Sequence, residues 1–509
     1  APLTPAHHTH TPRGHAPLQP SPSPAPAPPR VKPPRVPATQ TRTFNTRSQN
    51  HLPCSIPMDE PYVAAGQGPS TKSAWSLQFS FICMALCFSI NHGCVTALVG
   101  LATADLGKEL GDDQLGTLYI TYTLSALLIA TSLVHLLGAK WSLVWGLGLY
   151  CFYVASFLIA AKVPSIKWPA AIIGSIIGGT AAGWLWTAQG LYFGRVAEHY
   201  AVSTGLSREK STSWFASLFA SIYVGFEVIL RLASSFLYRF GSDTFVFTIF
   251  TIIAVTCAII MVLIPKEPPS LQPNAEENSR MSVTERLASA GKLLAGDGRM
   301  RWVAGFEIMF GLATSFINSY INGTIVKAAL GKDNIGYVTA IIPATATIMA
   351  VPFSWITNSA GKLPVMISGC VAYLAIAVVI IVFKTSVLED LKWGLVFIYV
   401  LGGIGRAVFE GTNKAMVAEF FPEKKPAAFA NVIITSGGAS AFAFYTFKFF
   451  NKLTMGLIVG VFCVEAIVGL SFAFGIHERE KAEWEAIKAD EEEHGEEIKG
   501  AIRFSKDGD

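Results

Sequence analysis

From Trp75 onward the chain alternates long apolar runs with short polar turns. In the first half the runs cover roughly 75–100, 115–137, 141–161, 168–193, 211–235 and 243–264. In the second half they cover roughly 301–326, 334–357, 363–383, 393–418, 427–450 and 453–476. Each holds about 20 residues or more, enough to cross a hydrocarbon core about 30 Å thick at about 1.5 Å per residue. The runs are continuous and do not alternate with polar residues, which predicts helices rather than barrel strands. Tryptophans stand at many ends (Trp75, Trp141, Trp168, Trp302, Trp355 and Trp393), where an indole ring suits the membrane–water boundary. The expected fold class is an all-α membrane protein with twelve transmembrane helices.

The polar segments divide the chain. Residues 1–72 are Pro-rich and carry no Asp or Glu before Asp59; such a stretch cannot build a core and is expected to be disordered. It reads either as an organelle transit segment or as sequence upstream of a start at Met58, without a part in the fold. Residues 73–264 form the N-terminal six-helix half and 301–476 the C-terminal one. Between them, 265–300 is a polar linker in which Ser282 and Glu285 match a capping box. Val283, Leu287, Leu293 and Leu294 then predict an amphipathic helix on the membrane surface. Residues 477–509 are densely charged and predict a solvated helical tail. Lys and Arg are in excess on the side shared by both termini and the linker, which places that side in the cytoplasm.

Composition agrees with this organisation. Of the 509 residues 51% are hydrophobic and 15% charged, against about 25% charged in a soluble domain. A formal charge of +4 gives no reason to expect a nucleic-acid partner. Of the eight cysteines only Cys83 and Cys87 approach a metal-like spacing, and they lie in an apolar run without a companion Cys or His pair, so neither a metal nor a cofactor is expected. No nucleotide-binding or catalytic motif survives inspection; GGIGRAVFEG at 402–411 imitates a dinucleotide loop but lies within an apolar span. An enzyme is not expected.

The two halves repeat. LGDDQLG at 110–116 and LGKDNIG at 330–336 each precede the second span of their half. GAKWSLVWGLGLY at 138–150 and GKLPVMISGCVAY at 361–373 share two glycines eight apart and a later Tyr. Gly178-Gly179 followed by RVAE at 195–198 matches Gly402-Gly403 followed by MVAE at 416–419. This is a parallel duplication. Two six-helix halves with a Gly-Lys turn between their second and third spans resemble the major facilitator superfamily. Within it, GAKWSLVWG, GWLWTAQGLYF at 183–193 and GRAVFEGTNKAMVAEFFP at 405–422 resemble the uncoordinated-93-like, or ion-channel-regulatory, branch. The resemblance implies a central cavity lined by spans 1, 4, 7 and 10. It also implies either alternating-access transport or regulation of an ion channel, such as a potassium channel, or chaperoning of a membrane partner. The turn after span 2 keeps only Gly138 and Lys140 of the superfamily's acidic, arginine-rich turn, and span 5 lacks a glycine-proline signature, which disfavours drug/proton antiport.

Charge inside a membrane is costly, so the intramembrane charges are the best pointers to a site. Arg406, Glu410 and Lys414 recur every four residues in span 10, with Asn413 beside them. They read as a solute- or ion-binding stripe or as a self-neutralising ladder that fixes packing. Glu227 and Arg231 in span 5 read as an internal ion pair. Around them Asn91 and His92 in span 1, Trp186 and Gln189 in span 4, and Asn318 in span 7 are candidates to line the cavity. Glu307, close to the start of span 7, is expected at headgroup level, and Glu465 beside a partner helix. Gly174, Gly178, Gly179 and Gly183 read as close helix packing. The expected partners are the lipid bilayer, a small polar or ionic solute, and under the regulatory alternative an ion channel or other membrane protein.

Overall fold

The computed structural model describes residues 73–269, 271 and 282–506, with side chains described as far as residue 488. The expectations for residues 1–72 lie outside these, as does part of the linker. Helix α1 spans Ala74–Asp105, α2 Lys108–Leu128, α3 Ala130–Lys162, α4 Lys167–Thr204, α5 Arg208–Tyr238 and α6 Asp243–Leu263. After the linker helix α7, Val283–Gly296, come α8 at Gly298–Phe316, continued by π-helical turns over Ile317–Val326, then α9 at Ile335–Ala360 and α10 at Lys362–Val382. Helix α11, Val396–Ala407, passes through π-helical turns at Val408–Asn413 into α12, Lys414–Phe420. Helices α13, Lys425–Phe447, and α14, Lys452–Lys506, complete the order. No strand occurs among the described residues.

Eleven of the described helices are long and apolar enough to cross a membrane. The run expected at 115–137 is divided. Helical hydrogen bonding passes from α2 across Ile129 (Ile129 N–H to Ser125 and Leu133 N–H to Ile129) into the start of α3. Helix α3 then breaks at Gly138, whose φ of 77° and ψ of 166° suit glycine and few other residues. Gly361 holds the corresponding turn of the second half at φ 82°.

The duplication is visible in the packing. Helix α4 packs on α2 and α3, α1 on α5 and α6, and α3 on α6; in the second half α11 packs on α9 and α10, α8 on α13 and α14, and α10 on α14. The register of the first repeated phrase differs from the sequence reading. Gly107 (φ 89°, ψ 155°) and Gly331 (φ 80°, ψ 154°) make the same turn, each followed by a lysine. So LGKE at 106–109 pairs with LGKD at 330–333, and LGDDQLG lies one turn inside α2 with Asp112 and Gln114 buried. In the second half Lys362, after the Gly361 turn, is ion-paired with Glu419 of MVAE.

Small residues let the helices meet. A Cβ on Gly178 would stand 2.7 Å from Tyr153 Cβ in α3, and one on Gly183 2.5 Å from the Ala126 nitrogen in α2. One stripe of α4 therefore seats two neighbours.

Two expectations are corrected. Helix α7 carries its capping box, with Ser282 Oγ accepting from Glu285 N–H and Glu285 accepting from Ser282 N–H. Its apolar side, however, rests on protein rather than on the membrane surface. Ala290 packs with Leu127 of α2 and Ala430 of α13, and Asn431 Nδ2 donates to the Ala290 carbonyl at 2.9 Å. The last span and the charged tail, read as separate, are one continuous helix, since nothing between 452 and 506 breaks an α-turn.

Candidate functional site

The two halves meet through α1 against the π-helical end of α8, α5 against α9, and α2 against α13. Most of the hydrogen bonds that join them lie on the side opposite the linker. There Thr103 Oγ1 donates to the Asn318 carbonyl (2.9 Å), Asn322 Nδ2 to the Gly100 carbonyl (3.1 Å) and Lys327 Nζ to the Ala104 carbonyl (2.6 Å). Lys332 pairs with Asp243 and lies 3.7 Å from Asp105, and Lys448 pairs with Asp113. Below this seal sits a cavity of about 340 Å³ lined by α1 to α5, α8 to α11 and α13. That volume falls within the range of small-molecule pockets.

A charge network crosses the cavity. Arg406 on α11 grips Glu227 on α5 with both ends of its guanidinium: Nη1 donates to Oε1 and Nη2 to Oε2, each at 2.7 Å. Its Nε donates to Glu410 Oε1 at 2.9 Å. Arg231, one turn beyond Glu227, donates to the same Oε1 from Nη2 at 2.9 Å. The Glu227 side chain is 1% exposed and Glu410 38%. Two cations and two carboxylates thus balance, and the bidentate Arg–carboxylate bond, the strongest type of pair here, joins the two halves of the molecule.

Aromatic side chains wall the network on the first-half side. His92 stands among Trp186, Tyr223 and Tyr150, with ring centroids 5.4, 5.5 and 5.6 Å away. Phe310 and Phe409 stack with centroids 3.5 Å apart on the opposite side. Such walls can hold a flat or apolar body while the charges hold a polar end.

The structure brings His92, Trp186, Asn318, Arg406 and Glu410 to this cavity, together with Glu227 and Arg231. The other candidates lie elsewhere. Asn91 is fully buried and donates to the Ala254 carbonyl at 2.9 Å, fastening α1 to α6. Gln189 is buried but is not among the lining residues. Asn413 turns away and donates to Glu307 Oε1 at 2.8 Å, and Lys414 is exposed. The cause is the π-helical segment Val408–Asn413: each of its turns is wider than an α-turn, so the four-residue stripe loses phase after Glu410. Glu307, expected at headgroup level, is fully buried among protein helices. Sequence reasoning missed the wall of tyrosines, Tyr119, Tyr122, Tyr150, Tyr223 and Tyr373. Their spacing resembles that of ordinary core aromatics, and only Tyr150 and Tyr373 carried a signal, as the matched tyrosines of the repeat.

Two packed halves of like architecture around a cavity between them define a protein of the major-facilitator class. Solved structures agree on the fold: a mutant form of the nucleoside transporter NupG superposes with a TM-score of 0.60 at 14% identity, covering 78% of this chain and 100% of that one. A D-xylose-proton symporter gives 0.56 at 14% identity over 79% and 96%. Within that class the chain belongs to the family described as ion channel regulatory protein UNC-93, which matches residues 105–472. Among its relatives are protein unc-93 homolog A of Bos taurus, 26% identical over 416 residues (74% of this chain, 87% of that protein), and UNC93-like protein 3 of Arabidopsis thaliana, 22% identical over 400 residues (76% and 83%).

Proposed function

We propose that this protein moves a small polar solute bearing an anionic group across its membrane by alternating access. The observation that supports it is the bidentate Arg406–Glu227 pair, which spans the two halves inside the cavity. A pair of this kind holds only while the halves stand close at the midplane. An incoming carboxylate or phosphate competes with Glu227 for the Arg406 guanidinium, presenting the same geometry. Glu227 retains Arg231, so the exchange does not strand a bare buried charge. The aromatic wall around His92 receives the rest of the solute. Rocking of one half against the other then exposes the site to either side. The contacts around Thr103, Lys327 and Lys332 act as the closed gate of the present state. The termini and the linker face the cytoplasm in this reading, from the distribution of Lys and Arg.

The test is a thermal-stability screen of the purified protein against anionic and neutral solutes, beside Arg406→Ala. A ligand at a hundredfold its Kd stabilises by about 2.7 kcal/mol. The expected result is a solute that raises the melting temperature of the wild type and not of the variant. A solute that stabilises both equally places its site elsewhere. The family's description as ion channel regulatory supports a second reading, regulation of a membrane partner without transport. That reading expects no solute to bind and a stoichiometric membrane protein to co-purify in mild detergent.

A further inference from the structure

Outside the cavity, Asp105, Asp112, Glu307 and Glu465 each keep a buried carboxyl oxygen without a hydrogen-bond partner, and of these Glu307 faces a side chain with a matching open acceptor. Glu307 lies on α8 nine residues past Gly298, about 14 Å along the helix. It is fully buried, and Asn413 facing it is 1% exposed. Asn413 Nδ2 donates to Glu307 Oε1 at 2.8 Å. The other oxygens of both groups, Glu307 Oε2 and Asn413 Oδ1, have no hydrogen-bond partner. Both are acceptors when Glu307 is ionised, so neither can serve the other, and a charged carboxylate with one open oxygen would sit in a buried helix interface. A single proton on Oε2 changes the inventory. The carboxyl becomes neutral, and its O–H is the one donor that side chain lacks, with Asn413 Oδ1 the open acceptor on the side chain already bonded to it.

We propose that Glu307 and Asn413 form a proton-binding site in the second half of the protein. The proton adds to Glu307 Oε2, the side chain passes from charge −1 to 0, and acid and amide satisfy each other through paired hydrogen bonds.

The surroundings are consistent with one proton held at one group. The cation whose field reaches Glu307 is Lys414, next to Asn413, and its side chain is exposed. From α14 the Glu465 carboxyl lies against Gly305, two residues before Glu307, so a second carboxyl faces the same stretch of α8. Helix α13 meets α8 through Ser436 and Ser440, which do not titrate. From α10, Tyr373 approaches Phe310 rather than Glu307. On α7, Glu285 is occupied at its own helix cap and Arg286 donates to Thr131. Asn413 ends the π-helical segment that begins just after Arg406. Loss of the proton would leave a charge against that segment and favour its shift, which gives the site a route to the Arg406–Glu227 pair. This last use, proton coupling, rests on the transport reading; proton binding does not.

The experiment is infrared difference spectroscopy of the purified full chain at neutral pH, wild type against Glu307→Gln, with melting temperatures to confirm folding. The expected result is loss of one protonated-carboxyl C=O band in the variant and a shifted, retained band in Asn413→Leu. An unchanged acid band in Glu307→Gln shows Glu307 to be ionised and overturns the proposal. Should the variants fail to fold, carboxyl-labelled glutamate in the wild-type chain decides. An isotope-shifted acid band at neutral pH supports the site, and its absence overturns it. A band found where the solute screen is silent leaves the proton site standing while transport fails, and the converse separates them equally.

Discussion

Glu227 shows how little one residue's type says by itself. Its spacing to Arg231 predicts an i, i+4 pair, and that pair is present at 2.9 Å. Its principal partner, Arg406, is 179 residues away in sequence. Removing one member of a buried pair costs about 3–5 kcal/mol, because the survivor is left without compensation. Glu227→Gln leaves two buried guanidiniums with only the half-exposed Glu410, whereas Arg406→Met leaves Glu227 with Arg231. We expect the glutamate variant to lose more, by melting temperature in detergent, and the double variant to recover part of the loss. The glycines of α4 belong to the same scale. Gly183→Ala sets a methyl 2.5 Å from the backbone of α2. It should destabilise by about 1–3 kcal/mol, as overpacking does. A melting temperature equal to the wild type's would show that α2 and α4 slide apart freely.

At the scale of elements, the linker helix was legible as a helix but not in its seat. The Ser282–Glu285 box is a local signal and survives intact. Backbone and side-chain hydrogen bonds from Ser282 hold the Glu285 carboxyl below its ordinary value of 4.5. A lowered folded-state value means that its stabilisation is full above the unfolded-state value and lost as pH falls through the folded one. Amide exchange in α7, corrected for its intrinsic pH dependence, should therefore be steady above the ordinary glutamate range and quicken as pH falls through the lowered folded-state value. Ser282→Ala should quicken it about fivefold at neutral pH, and equal protection in both proteins would show that docking on α2 and α13 outweighs the cap. The π-helical turns at 317–326 and 408–413 had no sequence signal. They depend on side chains finding partners across helices, as Asn322 does with Tyr399 and Asn413 with Glu307. A heptad or 3.6-residue count passes over them, and so carried Asn413 and Lys414 into the wrong stripe.

For the whole molecule, the seal opposite the linker is built from main-chain contacts and from three lysines, Lys327, Lys332 and Lys448, reaching the first half or its carboxylates. The Lys332 and Lys448 pairs are partly buried, and Lys327 bonds a main-chain carbonyl, so the lysines favour the closed state. Replacing Lys332 and Lys448 together with Gln should raise several-fold the rate at which a Thr96→Cys thiol in the cavity reacts with an impermeant reagent added from that side. An unchanged rate would assign closure to the α1–α8 main-chain contacts alone.

The sequence by itself determined the membrane class, the duplicated architecture and the family. These rest on composition, on run length and on repeated short phrases, all of which are local and summed over many residues, so single errors such as the four-residue slip at LGDDQLG do little harm. It also marked the charges worth watching, because a charge in an apolar run is conspicuous without any fold. The tertiary structure alone decided which charges meet. The Arg406–Glu227 bond, the burial of Glu307 against Asn413 and the tyrosine wall each require two segments far apart in the chain to approach within hydrogen-bonding or ring-contact distance. That approach is set by how small residues let helices close and where π-turns shift their phase, neither of which a one-dimensional pattern records.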